Sequence, residues 1–416
     1  MKIIKYLHIL LLCCLTVTAL SQAPPTIEFQ NGLWFNGKGF VNKAMYSENG
    51  IFRTSRPAKI DTIISLDNHY IVSPYGDAHN HLVDPDVKKT IQQYLKDGVY
   101  YVMDHGNIPM IYNMYKPYIN TPKSIDMISP IYFFTGNDGH PQEVLDNAAK
   151  NGMIPKNWVS DKLAYGICIL DTLTDLDIYF PEVLKAKPDF IKSVLYCSEE
   201  YDLRKNDTAY RYQKGMNPRL LPELVKRAHL AGLRVSVHIQ SRADFLTAIN
   251  ARVDIIAHTP GMGYEARLGK KSFIITDDDA RLCAEYKIPV ITTLSFLKYL
   301  ADREQDKELI KNDIIIPNIK LLMKYHVNLV IGVDQFQQTT KEEALFIATL
   351  GIFNNLELLK MWCETTTKMI FPNRKIGELK DGYEASFLVL DGNPLNDFLN
   401  TTKITQRYKQ GFFLVP

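Results

Sequence analysis

The pattern of apolar and polar positions changes period near residue 75. Before it, from about residue 24, short apolar pieces are punctuated by Gly and Asn at hairpin spacing: "TIEFQNGLWFNGKGFVNKAMYSENGIF", then "TIISLDNHYIVSP". That spacing predicts a small β unit, with "NHYIVSP" as a buried strand running into "YGDAHNHL". From Tyr75 onward, strand-like runs alternate with stretches of helical period. "DPDVKKTIQQYLKDG" places Ile91 and Leu95 on one helix face and stops at Gly98; strand-like "VYYVMDHG" and later "IYFFTG" come next. "KPDFIKSVLY" reads as a strand, "RLLPELVKRAHLAG" as a helix, "LRVSVHIQ" as a strand and "SRADFLTAINARV" as a helix. "DIIAHTPG", "IPVITTLS" and "VNLVIGVDQ" are strands separated by "TDDDARLCAEYK" and "NDIIIPNIKLLMKYH", both helical in period. Alternation on this scale predicts an α/β fold with a parallel sheet, and the number of repeats favours a (β/α)8 TIM-like barrel.

In such barrels chemistry collects at the carboxyl ends of the strands. The polar residues that close the apolar runs are His79 and His81 in "GDAHNH", Lys192 in "FIKSV", His238 in "VSVHI", His258 in "IIAH" and Asp334 in "VIGVD". On a strand His79 and His81 share a face while Asn80 points away, so two imidazoles converge as a metal chelate. A charged or half-charged group inside a strand needs a partner. Five strand ends each carrying a metal-ligand type form one coherent pattern. Taken singly, His258 reads as a core histidine, Asp334 as a helix cap and Lys192 as a snorkelling side chain. His229 and His326 fall in or at the ends of helices and are read as structural. His69 and His105 have weak claims to the site.

Length and charge narrow the class of partner. The 416 residues suit a large barrel with an accessory unit, and 48 basic against 46 acidic side chains leave no electrostatic footprint for nucleic acid or an anionic membrane. The first residues, "MKIIKYLHILLLCCLTVTALSQAPP", have a basic start, a short apolar run and small residues at Ala19 and Ser21. They predict a secretory signal peptide over 1–21 and export, with a periplasmic address; lipid attachment at Cys13 or Cys14 is the weaker reading. No later stretch approaches the ~20 apolar residues of a stable membrane span. Cys168, Cys197, Cys283 and Cys363 show no regular spacing and are read as buried small hydrophobes.

This ordered set resembles the metal-dependent amidohydrolase superfamily, in its imidazolonepropionase-like and prolidase-like branch. "GDAHNH" is similar to the His-x-His signature of the first barrel strand, "DGVYYVMDHG" to the second-strand block, and "TGNDGHP" to the Gly-His loop after the third. "PDFIKSVLY" is similar to the fourth-strand lysine region, and "VSVHI", "VDIIAH" and "VIGVD" to the later histidines and aspartate. "KIGELKDGYEASFLVLDGNPLND" is similar to the return into a small β domain. The resemblance implies a small β-sandwich domain formed by both chain ends, 22–74 plus 373–416, around a metal-binding barrel at 75–372.

It also implies two divalent metal ions, with Zn the metal best suited to the donors. His79 and His81 would hold one with Asp334, His238 and His258 the other, and Lys192, as an N-carboxylate, would bridge them. Paired cations generate a bridging hydroxide and polarise a scissile carbonyl, while Asp334 takes the proton and passes it to the leaving nitrogen. His140, in its Gly-rich loop, is expected over the mouth to hold a substrate carbonyl or carboxylate, and Tyr196 to face the substrate. The expected activity is hydrolysis of a C–N amide bond in a small molecule, such as a dipeptide or cyclic amide. A deaminating enzyme and a catalytically silent binding barrel are the alternatives, and assembly into a homo-oligomer is left open. Two departures bear on the substrate. "SVLYCSEEYD" is bulky and acidic, so Glu199 and Glu200 would favour an amine-bearing ligand or be merely solvated, and the role of "DHG" after "YYVM" cannot be copied. Asp77 is expected behind the histidines, orienting one of them.

Overall fold

The computed structural model of the protein describes residues 23–152, 162–299 and 304–415; the expected signal peptide, with its lysines and Cys13 and Cys14, lies outside them. The described chain opens with β1 (Ile27–Phe35), β2 (Phe40–Glu48), β3 (Ile51–Arg53), β4 (Thr62–Ser65) and β5 (Tyr70–Val72). Next are β6 (Tyr75–Asn80), β7 (Val99–Asp104), β8 (Asp126–Ile128), β9 (Phe133–Thr135) and β10 (Ile167–Ile169). Then come β11 (Ile191–Val194), β12 (Val235–His238), β13 (Ile255–Ala257), β14 (Val290–Ile291) and β15 (Leu329–Val330). β16 (Phe387–Leu390), β17 (Ile404–Lys409) and β18 (Phe412–Phe413) close the chain.

Strands from the two ends join in one eight-stranded mixed sheet, ordered β18-β17-β16-β5-β1-β2-β3 with β4 on β1. Its apolar face is largely aromatic: the Phe387 ring lies 4.9 Å from Phe29, 5.2 Å from Trp34 and 4.5 Å from Tyr408, so residues far apart in sequence share one core. The remaining strands are parallel, in a three-stranded sheet β6-β7-β8 and a seven-stranded sheet β10-β9-β11-β12-β13-β14-β15. The segment after β15 runs along β6, where Ala78 N–H donates to Ile331 O and Asp334 N–H to His79 O, both at 2.8 Å. On the other flank Asp189 N–H, just before β11, donates to Ser129 O, just after β8, at 3.0 Å.

The helices that the polar–apolar period asked for are present, and those at Pro109–Tyr115, Gln142–Lys150, Leu173–Lys185 and Thr340–Thr349 add to them. Helix Val87–Lys96 is capped by Asp86, which accepts from Lys89 N–H; it buries Ile91 and Leu95, and Gly98 with φ +77° turns the chain into β7. Helices Arg242–Asn250 and Asp277–Glu285 start with full capping boxes, Ser241 with Asp244 and Thr276 with Asp279. One boundary differs from the sequence expectation. "NHYIVSP" does not run into the histidines: Tyr70–Val72 pairs within the mixed sheet, and Tyr75 begins a parallel strand. Pro74, with no N–H to give a ladder, marks the switch. The two parts are clamped by Asp126, which takes the wholly buried Lys409 ammonium at 2.7 Å and Arg374 at 2.8 Å.

Candidate metal centre

β6 delivers His79 and His81 from one face, as the two-residue period requires, and the segment after β15 brings Asp334 to them. The close approach depends on Gly332. A Cβ there would stand 2.6 Å from His79 Cβ and 2.7 Å from His79 N, so no larger residue fits without moving the chelating strand. Gly332→Ala is therefore expected to destabilise the fold by about 2–4 kcal/mol, read as a lower midpoint in denaturant unfolding.

The Nε2 atoms of His81 and His79 lie 3.3 and 3.4 Å from the same Asp334 oxygen, and His258 Nε2 lies 3.8 Å from the other. These separations are long for charge-assisted hydrogen bonds. The two shorter ones match pairs of donors around one cation: two ligands bonded at about 2.1 Å and subtending a tetrahedral angle stand about 3.4 Å apart. Beside this group the His238 and His258 rings meet edge to face with centroids 4.6 Å apart, and Lys192 from β11 lines the same cavity. Lys192 Nζ and His258 Nε2 are both buried without a partner. A buried amine and a buried imidazole nitrogen with nothing to bind are costly unless a further group completes them. The donor set and its orphaned atoms fit divalent cations.

Neighbouring groups hold one ring nitrogen each of His81, His258 and His238. His81 Nδ1 donates to Gly106 O at 2.9 Å, and His258 Nδ1 lies 2.7 Å from Thr293 Oγ1, so each ring presents Nε2. The Gln240 amide nitrogen stands 2.9 Å from His238 Nε2 while Gln240 Oε1 is buried without a partner. The opposite amide rotamer lets that oxygen accept Nε2–H and leaves His238 Nδ1 as the free lone pair. His258, Thr293 and Asp334 all hold left-handed backbone, with φ +76°, +53° and +51°. Such strain in non-glycine residues, about 1–3 kcal/mol each, persists where surrounding structure enforces it. Here Glu343 braces the turn after β14: it accepts from Thr292 Oγ1 at 2.7 Å, Leu294 N–H at 2.6 Å and Ser295 N–H at 2.5 Å, which sets Thr293 against His258.

Burial holds these rings neutral. It pushes His79 down to about 3 and His238 and His258 well below the usual imidazole range. At His81 burial acts in the same sense but is outweighed by the hydrogen bond and charge of Asp334, and the net direction is upward. Burial would raise Asp334, yet the facing histidines, His79 first, hold it well below the ordinary carboxylate range. Burial also lowers Lys192 to about 7, against a smaller opposing pull from Asp334. Asp334 keeps about a quarter of its side chain exposed, at 26%, so it faces both the cluster and the cavity.

The structure brings His79, His81, Lys192, His238, His258 and Asp334 together, with His140 beside them: its ring centroid is 4.7 Å from that of His238 and 6.0 Å from that of Tyr196. Glu143 holds His140 Nδ1. His229 pairs with Asp254 at the surface, and His69 bonds Leu66 O, both away from the site. Cys168, Cys197, Cys283 and Cys363 are buried free thiols. Three expectations change. His105 is part of the site, its ring stacked on His79 at 4.0 Å and its Nε2 2.8 Å from Ser236 Oγ. Asp77 braces backbone, accepting from the N–H groups of His79 at 3.2 Å and Val333 at 3.4 Å and from the Tyr94 hydroxyl at 3.1 Å. Glu200 is neutralised by Arg204 and Arg267 and offers no free charge to an amine, while Glu199 accepts from the Ser241 hydroxyl.

This arrangement, buried donors at the carboxyl ends of parallel strands beside a second, mixed sheet, is the amidohydrolase fold. Solved structures similar to the chain include an amidohydrolase (18% identity, 94% of this chain and 99% of that one, TM-score 0.71), the ochratoxinase of A. niger (15%, 95% and 96%, 0.72) and a Xaa-Pro dipeptidase with bound methionine (16%, 94% and 100%, 0.72). At these identities the likeness is one of fold. No family model and no curated protein matches the chain.

Proposed function

We propose that the protein is an exported, binuclear metal-dependent amidohydrolase that cuts a C–N amide bond in a small molecule. The observation that carries this reading is the spacing of the His79, His81 and Asp334 donor atoms, all within 4.8 Å of one another, beside the orphaned Lys192 and His258 nitrogens. The parallel strands would act as one (β/α)8 barrel over 75–372, because hydrogen bonds cross both flanks between the two parallel sheets. The terminal strands, 22–74 with 373–416, would form the accessory sandwich.

His79, His81 and Asp334 would hold one divalent cation and His238 and His258 another, most plainly Zn, with an N-carboxylated Lys192 between them. When bound, the metals supply Lewis acidity toward water and the amide carbonyl. The chain's own residues do the rest. Asp334, a carboxylate at neutral pH that faces both cluster and cavity, takes the proton from attacking water and hands it to the leaving nitrogen. His140, pinned by Glu143, stands where it can hold the substrate carbonyl. Gly106 O accepts His81 Nδ1–H and so leaves its Nε2 free, and Thr293 Oγ1 holds His258 Nδ1 so that its Nε2 faces the cluster.

Thr293→Val tests that last point. The side chain keeps its shape, loses the oxygen facing His258 and is expected to bind metal about 10- to 100-fold more weakly in a chelator competition. The reading as a whole is tested by supplying purified, Zn-reconstituted full-length protein with a panel of dipeptides, N-acyl amides and cyclic amides. Release of acid and amine from at least one class, abolished by chelator and restored by Zn, supports it. Metal-loaded protein that cuts none of them, or that releases ammonia from an amidine or aminopyrimidine ring instead, overturns it.

A further inference from the structure

The metal centre opens into two cavities that share His140, Glu143, His238, Phe296 and Asp334. One, of about 390 Å³, is walled by Val83, Ile108, Phe133, Val144, Leu145 and Phe336. The other, of about 510 Å³, is lined by Tyr196, Arg211, Tyr212, Gln213, Gln240 and Glu265. A substrate whose amide sits at the cluster has room for one substituent in each.

The charged groups of the two linings are already matched within the protein. Arg211 pairs with Asp146 at 3.1 Å and stacks on the Tyr212 ring, its guanidinium 4.7 Å from the centroid. Glu265 is held through both oxygens by the wholly buried Arg204, at 2.8 and 2.9 Å. Glu143 gives one oxygen to His140, and its other oxygen is buried without a partner, an acceptor suited to a substrate N–H. Apart from Lys192, assigned to the cluster, the lining guanidinium is Arg211, which Asp146 already engages at 3.1 Å, so a substrate carboxylate there would share a partly neutralised cation.

We infer that the substrate is a neutral amide carrying a bulky apolar group, which enters the cavity of Val83, Ile108, Val144, Leu145 and Phe336, with an N–H donor facing Glu143. This rests on the amidohydrolase reading for the chemistry but narrows it: a zwitterionic dipeptide is the class that the linings match least.

Binding separates the two ideas. Affinity is measured calorimetrically on the metal-reconstituted full chain carrying Asp334→Asn, where turnover is suppressed, for N-benzylphenylacetamide, N-benzylacetamide and the dipeptide Phe-Pro. The phenylacetyl amide is expected to bind about tenfold or more tightly than either of the others. Phe336, 44% exposed at the cavity rim, can be changed without disturbing the core. Phe336→Asp and, independently, Val144→Asp are expected to bring the phenylacetyl-to-acetyl ratio down to about two or less. Equal or tighter binding of Phe-Pro, or a ratio that neither substitution moves, overturns the inference. Binding with the expected preference, when the wild-type, metal-loaded protein cuts neither the neutral amides nor any of the panel, leaves the ligand preference standing and overturns the hydrolase reading.

Discussion

Asp334→Asn is expected to leave a folded, metal-binding protein whose turnover has fallen by about three to four orders of magnitude. The side chain keeps its size and one oxygen toward His79 and His81, while the basic oxygen that would shuttle the proton is gone. Geometry makes the effect large: Asp334 is the carboxylate that the site histidines face, and it alone of the donors is both held ionised and open to the cavity. Circular dichroism and metal content should match the wild type, and kcat should carry the loss with KM little changed. Near-normal kcat would remove Asp334 from proton transfer and leave it a ligand only.

Lys192→Met is expected to cost at least about a thousandfold in activity and to lower the metal content, because a bridging anion can no longer form. Its effect on the metal-free fold runs the other way. Lys192 is buried on β11 with its amine unpartnered, and burial lowers it to about 7 from a normal value near 10.5. Between those values the unfolded chain binds a proton that the folded chain does not, so stability rises with pH across that window. Below about pH 7 the whole penalty is present. In Met this pH dependence disappears, and the metal-free variant should be more stable than wild type at pH 7 by an amount of the order of a few kcal/mol. Urea unfolding of the two metal-free proteins at pH 7 and 10 checks the sign. The same neutral amine is the form that would add CO2 in the proposed centre. Roughly a tenth of the lysine is neutral at pH 6 and nine-tenths at pH 8, so activation by Zn with bicarbonate should be faster at the higher pH.

Much of this site is legible along the chain because its ligands carry their own signal. His79, His81, Lys192, His238, His258 and Asp334 are polar residues that interrupt or close apolar strands, and parallel strands put those ends together. The groups that orient them are not legible. Gly106 acts through a carbonyl, and Thr293 through a hydroxyl on an apolar-looking turn; a backbone oxygen and a threonine have no distinctive spacing. Glu343 lies on a helix more than forty residues beyond the turn it braces, in a polar–apolar period that marks it only as one more acidic residue. His105 looks marginal in sequence because it comes directly after Asp104 at its strand's end, and only tertiary packing shows its ring lying flat against His79. The signal that exists is "DHG" itself: Asp104 accepts from Leu82 N–H, His105 stacks on a ligand, and Gly106 fixes a tautomer.

The fold divides the same way. The period-two and period-3.6 patterns place the strands and helices they mark, but they miss β8, β10 and helices such as Leu173–Lys185, and they misplace the join between the terminal sheet and the first parallel strand. "NHYIVSP" and "YGDAHNH" are both apolar and extended, and only Pro74 separates them. The pairing of β5 with β16 spans more than three hundred residues, a distance at which local pattern specifies that a strand exists and not which neighbour it takes.

The proposed mechanism rests on binding of two metal ions by this cluster, which can be read by elemental analysis of purified full-length protein reconstituted with Zn and bicarbonate. About two equivalents per chain are expected, falling to about one or fewer in Lys192→Met and in His238→Ala. A well-folded wild-type protein that retains no stoichiometric metal, or one whose metal content is unchanged by both substitutions, would contradict the two-metal centre.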